Sequence, residues 1–153
     1  MEIQMNVAVK SNTICHYMNK LTESEIIKLS IKIVDNKLHD AIPYVLQLIE
    51  HPNSYGVRGS LIHVMNTLEH PMPLNLIVKT IITDTWEAKQ EASFNYYVSE
   101  RVLTEEELDH AIKTLYPFHL NPRDNNEKKL VDELLLNLRE YNKDDDGLYR
   151  IPV

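Results

Sequence analysis

Two stretches of this chain share one plan, and that similarity limits the fold more than any other feature. Residues 41–69 read AIPYVLQLIEHPNSYGVRGSLIHVMNTLE and residues 74–100 read LNLIVKTIITDTWEAKQEASFNYYVSE. Each is a short apolar helix, a turn and a longer helix. Aligning the first helices sets Val45 over Val78, Leu48 over Ile81 and Ile49 over Ile82, an offset of 33 residues. Aligning the second helices sets Arg58 over Lys89 and Leu61 over Ala92, an offset of 31, so the turn absorbs the difference. A helical pair this short cannot bury its apolar side alone and needs neighbours stacked against it.

The remaining periodicity is also helical. Glycine occurs only three times, fewer than the turns of a sheet-rich fold demand. Ile26, Ile27, Ser30, Ile33 and Val34 follow helical spacing behind a capping box of Thr22 and Glu25. Asp40 is placed to cap the next helix, with Pro43 in its first turn and Pro52 just beyond its end. A third helix is expected over Tyr55–Glu69 with Val57, Leu61, Val64, Met65 and Leu68 inside, before Pro71 and Pro73 break the chain. Asp84 with Glu87 and Thr104 with Glu107 repeat the capping-box spacing, and a last helix is expected over Asp124–Tyr141. An eighth helix fits Ser11–Leu21, and Ile3, Met5, Val7 and Val9 alternate as in a strand. The expected fold is all-α: one domain of about seven or eight helices over residues 1–153, with 1–10 and 142–153 as loosely docked tails.

A formal charge of −7 disfavours attraction to phosphate backbones or anionic membranes, so neither nucleic acid nor membrane is expected as a partner. A basic protein is the natural complement. A single cysteine, Cys15, and an opening MEIQMNVAVK without a basic region and apolar run fit a cytoplasmic protein. No apolar stretch approaches the roughly 20 residues that span a bilayer.

The two related stretches resemble HEAT-type helical repeats. AIPYVLQLIE looks like a first helix, and GVRGSL and DTWEAKQEA look like a turn and the start of a second. The family pattern has an acid in the turn and a base in the second helix, which Asp84, Lys89 and Arg58 match; Asn53 and Ser54 stand where the first turn should carry an Asp. The resemblance covers residues 41–100 and implies a short α-solenoid of stacked helical hairpins. GSLIHVMNTLE followed by a Trp-containing helix is also similar to small helical immunity proteins of bacterial toxin and contact-inhibition systems. That resemblance implies an acidic, cytoplasmic protein that binds and neutralises one toxin domain.

On a helical wheel, the side of the third helix opposite its apolar stripe carries Gly59, His63, Asn66 and His70. The repeat offset sets Gln90, Phe94, Tyr97 and Arg101 at the equivalent positions, with Trp86 near the same edge. The candidate partner-binding residues are therefore His63, Asn66, His70, Trp86, Gln90 and Tyr97, helped by Glu87 and Glu91. Trp86 and Tyr97 read in two ways, as rigid interface anchors or as core. The inner face of their helix (Ala88, Ala92, Asn95, Ser99) is poor enough that Phe94 and Tyr96 could turn inward instead. From Asp84 to Asp109 there are eight acids against two bases, a field that steers a basic partner, although Glu105, Glu106 and Glu107 suit a helix N-terminus equally well.

Catalytic and metal chemistry are not expected. His63 and His70 lie about two turns apart, roughly 10 Å along the axis, too far for one zinc ion. His39 with Asp40 and His16 with Cys15 are neighbours that point apart on a helix. NKDDDGLYRIPV sets Asn142, Asp144, Asp146 and Gly147 as in an EF-hand loop, but Val153 stands where the bidentate Glu belongs. Neither Cys15 nor Ser60 has a recognisable base, and no cofactor motif occurs. The function expected is non-enzymatic binding of a protein, a basic toxin domain above all. Two alternatives stay open: an enzyme or small-ligand-binding protein on the same scaffold, and a general adaptor.

Overall fold

The structure, a computed structural model, describes residues 20–151. The strand expected over Ile3–Val9 lies outside the described residues, as does the helix expected over 11–21 except for its last two positions. The described residues form seven α-helices and one two-stranded hairpin, so the chain is all-α in class. It divides into two compact units, residues 1–70 and 71–153.

The first unit holds α1 (Glu23–Asp35), α2 (Ile42–Glu50) and α3 (Arg58–Thr67). α1 opens on the expected capping box: the Glu25 N–H donates to Thr22 Oγ1 at 3.3 Å and the Thr22 N–H donates to the Glu25 carboxylate at 2.8 Å. It closes in a Schellman turn, with Leu38 N–H on the Ile33 carbonyl, Lys37 N–H on that of Val34, and Lys37 at φ 50°. α3 closes in the same way. His70 N–H reaches the Met65 carbonyl at 2.8 Å, Glu69 N–H reaches that of Asn66 at 3.1 Å, and Glu69 sits at φ 56°. α1 and α2 both pack on α3, and Ile26, Ile33, Val45, Ile49, Leu61, Ile62 and Met65 are buried.

Two local expectations are corrected here. Asp40 does not cap α2, because a 3₁₀ turn over His39–Ala41 runs straight into the helix and keeps Asp40 out of the extended conformation of an N-cap. α3 begins at Arg58 rather than near Tyr55, since Pro52–Val57 winds into a 3₁₀ segment first. Arg58 braces that segment, with its Nε on Ser54 Oγ and its Nη2 on the His51 carbonyl.

The second unit holds α4 (Leu74–Thr83), α5 (Trp86–Val98), α6 (Glu105–Leu120), α7 (Asn125–Leu138) and the hairpin β1 (Asn142–Lys143) with β2 (Tyr149–Arg150). α4 packs on α5, α6 and α7, and six of its ten residues are buried, while Asn75, Lys79 and Thr83 form a polar stripe four residues apart that faces solvent. α6 packs on α7 and opens on the expected capping box of Thr104 and Glu107. α5 departs from expectation: its N-cap is Thr85, whose Oγ1 accepts from Ala88 N–H. Asp84 still closes α4 through its N–H on the Thr80 carbonyl, and its own carboxylate accepts the Thr85 N–H.

Residues 142–151, read from sequence within a tail, include a folded hairpin. Asn142 pairs with Arg150 and Lys143 with Tyr149 across a turn in which Gly147 takes φ 81°. Asp144 organises the turn, accepting from Leu148 N–H at 2.8 Å, Asp146 N–H at 3.1 Å and Arg150 Nε at 2.6 Å. These donors hold its carboxyl below the usual range, Arg150 foremost. Leu103 and Tyr149 exchange N–H···O bonds of 2.9 and 2.7 Å, joining the hairpin to the segment before α6.

Candidate functional site

α5 is built inside out. Its buried positions, Tyr96 apart, are small or polar: Ala88, Lys89, Ala92 and Asn95. The two alanines let its backbone lie close on α4, and they leave its large apolar side chains on the other face. Trp86 is 49% exposed, Phe94 55%, Tyr97 48% and Val98 55%. At 100° per residue Trp86, Tyr97, Gln90, Phe94, Glu87, Val98 and Glu91 fall in that order within about 140° of arc, and Trp86 to Tyr97 spans about 16 Å of axis. Gln90 and Glu87 are exposed and Glu91 is half-buried. The result is one aromatic stripe with carboxylates along one side.

The stripe rests on a rigid polar floor. Asn95 Oδ1 accepts the Met72 N–H at 2.7 Å, and Arg101 reaches the Met72 carbonyl at 2.7 Å and Asn95 Oδ1 at 3.2 Å. The Arg101 guanidinium also lies 5.4 Å from the centre of the Tyr96 ring. Arg101, placed on the outer face by the repeat offset, therefore bends back beneath the helix end. Tyr96 donates its hydroxyl to Asn137 Oδ1 at 2.6 Å. Burial raises the Tyr96 pKa, with neighbouring Tyr141 adding to the effect, so the phenol stays protonated and keeps donating. Tyr97 stands edge-on to that fixed ring, centroids 5.0 Å apart at 85°. Partial burial and the Glu133 carboxylate raise its pKa too, leaving an outward phenolic donor beside an acid.

Deeper on the same helix, Lys89 meets Glu127 of α7 at 3.3 Å, with the Glu127 side chain 1% exposed. Arg123 donates its Nε to Glu127 Oε1 at 2.9 Å and its backbone N–H to Oε2 at 2.8 Å. A second guanidinium nitrogen, Nη2, bonds the Ile82 carbonyl at the end of α4. One buried carboxylate thus ties α5 and α4 to α7.

The structure brings together Trp86, Glu87, Gln90, Glu91 and Tyr97 on α5. His63, Asn66 and His70 belong to the first unit, where His63 is exposed, Asn66 and His70 are half-buried, and His70 approaches His39. Gly59 is buried, so the polar side of α3 is narrower than its wheel implies. Of the two readings left open for Trp86 and Tyr97, both side chains are half-exposed; of the two aromatics able to turn inward, Tyr96 does and Phe94 does not. Val98 is the member of the stripe that sequence reasoning missed, and Phe94, set on this face by the repeat offset, was left out of the candidate residues. The signal for them was there, since Trp86, Gln90, Phe94 and Val98 recur every four residues. Among the described residues no three His, Cys, Asp or Glu side chains are gathered to hold a metal, and no helix is long and apolar enough to cross a membrane. No family model, curated protein or solved structure matches the chain.

Proposed function

We propose that the protein binds another protein through the outer face of α5, and that it acts as a bacterial immunity protein, neutralising a basic toxin domain in the cytoplasm. The observation that carries the reading is the aromatic stripe of Trp86, Phe94 and Tyr97 held outward on a clamped helix. An apolar patch on a soluble helix marks an interaction surface when it is contiguous and rimmed by polar groups. Rigid Trp and Tyr side chains are the commonest anchors of such surfaces. Covering about 100 Å² on each of the three aromatics contributes roughly 2.5 kcal/mol apiece at 25 cal/mol per Å². Glu87, Glu91 and the net charge of −7 complement a cationic partner and speed its approach.

The scaffold reading joins this one. We take α2 with α3 and α4 with α5 as two hairpins of a short HEAT-like solenoid, because the inward apolar positions share their burial, whereas Ile49 and Gly59 are buried over a half-buried Ile82 and an exposed Gln90. Val45 and Val78, Leu48 and Ile81, and Leu61 and Ala92 are all buried. Arg58 and Lys89 both turn toward acceptors of their own unit.

The test is co-expression with the product of the gene immediately upstream, followed by titration of the purified pair. A 1:1 complex that protects cells from that product supports the proposal. A partner that binds equally well when Trp86, Phe94 and Tyr97 are all alanine refutes the assignment of the surface.

A further inference from the structure

We propose that His39 and His70 form the protein half of a binding site for a borderline divalent transition-metal ion of the Zn²⁺, Ni²⁺ and Cu²⁺ class. The two residues are far apart in sequence, yet His39 Nδ1 and His70 Nε2 lie 3.1 Å apart. Their ring centroids are 5.4 Å apart with planes at 53°. Two imidazole nitrogens each about 2.05 Å from one ion stand about 3.3 Å apart in tetrahedral geometry and about 2.9 Å apart at a right angle. The observed spacing, that of a hydrogen bond between the two rings, falls between these values, so an ion replacing the shared proton leaves the two nitrogens at nearly the same separation.

The backbone is fixed for a reason visible in the chain. α1 and α3 pack together, and each ends in a Schellman turn whose left-handed position is held by a residue other than glycine, Lys37 or Glu69. His70 follows Glu69 directly, and its N–H makes the closing bond to Met65. His39 follows one residue later in its own turn and donates its N–H to the Lys37 carbonyl at 2.9 Å. Two structurally matched helix ends therefore deliver two imidazoles to one place. His39 is exposed, so water can complete the coordination sphere around two protein nitrogens. Imidazole donors with open positions suit Zn²⁺, Ni²⁺ and Cu²⁺, whereas hard ions such as Mg²⁺ and Ca²⁺ demand oxygen. A bound ion would link the ends of α1 and α3 and stabilise the folded unit by mass action.

The experiment uses the full chain in a non-chelating buffer, titrated with NiCl₂ and separately with ZnCl₂ by calorimetry, together with Cu²⁺ electron paramagnetic resonance. The expected result is one high-occupancy ion per chain, a raised thermal midpoint, and a Cu²⁺ spectrum with two nitrogen ligands. His39→Gln and His70→Gln should each weaken binding at least about tenfold, as loss of one of two protein donors requires, while His110→Gln leaves it unchanged. Should His70→Gln unfold the chain, the exposed His39→Gln decides alone. Absence of binding at millimolar metal, or binding undiminished in His39→Gln, overturns the proposal.

Discussion

Replacing Glu127 by Gln keeps the shape of the side chain and removes one buried negative charge. In the native protein that charge accepts from Lys89, from Arg123 Nε and from the Arg123 backbone N–H. These donors, Arg123 first, bring the Glu127 pKa from 4.5 down to about 2 against the opposing effect of burial. A fall from 4.5 to about 2 corresponds to about 3 kcal/mol. A second route gives a similar size: the variant leaves the Lys89 ammonium, 9% exposed, without its anion, and breaking a buried pair costs about 3–5 kcal/mol. Because the folded pKa is the lower one, the contribution is fully present above pH 4.5 and is lost as the pH falls from there through about 2. Urea unfolding of wild type and Glu127→Gln at pH 7 should differ by about 3 kcal/mol, and the gap should close progressively below pH 4.5. A difference under about 1 kcal/mol at pH 7, or one that persists undiminished in strong acid, refutes the reasoning.

Asn95→Ala strands the Met72 N–H and weakens the hold on Arg101, so it should destabilise the chain by about 1–3 kcal/mol in the same urea assay. Thr104→Ala removes one half of the α6 capping box and should cost about 1 kcal/mol; it lies off the α5 stripe, so titration with the proposed partner should return an unchanged affinity.

The helices were legible wherever an apolar stripe met a cap. Thr22 with Glu25 and Thr104 with Glu107 start helices as their spacing indicates, and Leu61, Val64, Met65 and Leu68 are buried as their period requires. The starts of α2 and α5 were harder. Asp40 and Asp84 have the right chemistry for a cap, but Asp40 lies inside a 3₁₀ turn, and Asp84, although extended, is followed by an equally extended Thr85 that takes the N-cap itself. The α5 surface was half legible: its aromatics recur at helical spacing, but which of Phe94 and Tyr96 turns inward depends on Asn137, 41 residues from Tyr96, which receives the buried hydroxyl. Nothing in the sequence around Glu127 marks its burial, because its partner Lys89 is 38 residues away. His39 and His70, 31 apart, escaped for the same reason: spacing along one helix carries no information about ends that meet through packing.

Trp86 is the chain's single tryptophan, so its emission reports on the proposed surface without interference. The decisive measurement follows that emission, and its quenching by acrylamide, while the proposed partner, or a Trp-free variant of it, is titrated into the protein. The account predicts a solvated, readily quenched indole in the free protein, then a blue shift and loss of quenching that saturate at one partner per chain. An indole already shielded in the free protein, or a complex that forms while Trp86 stays open to the quencher, would contradict it.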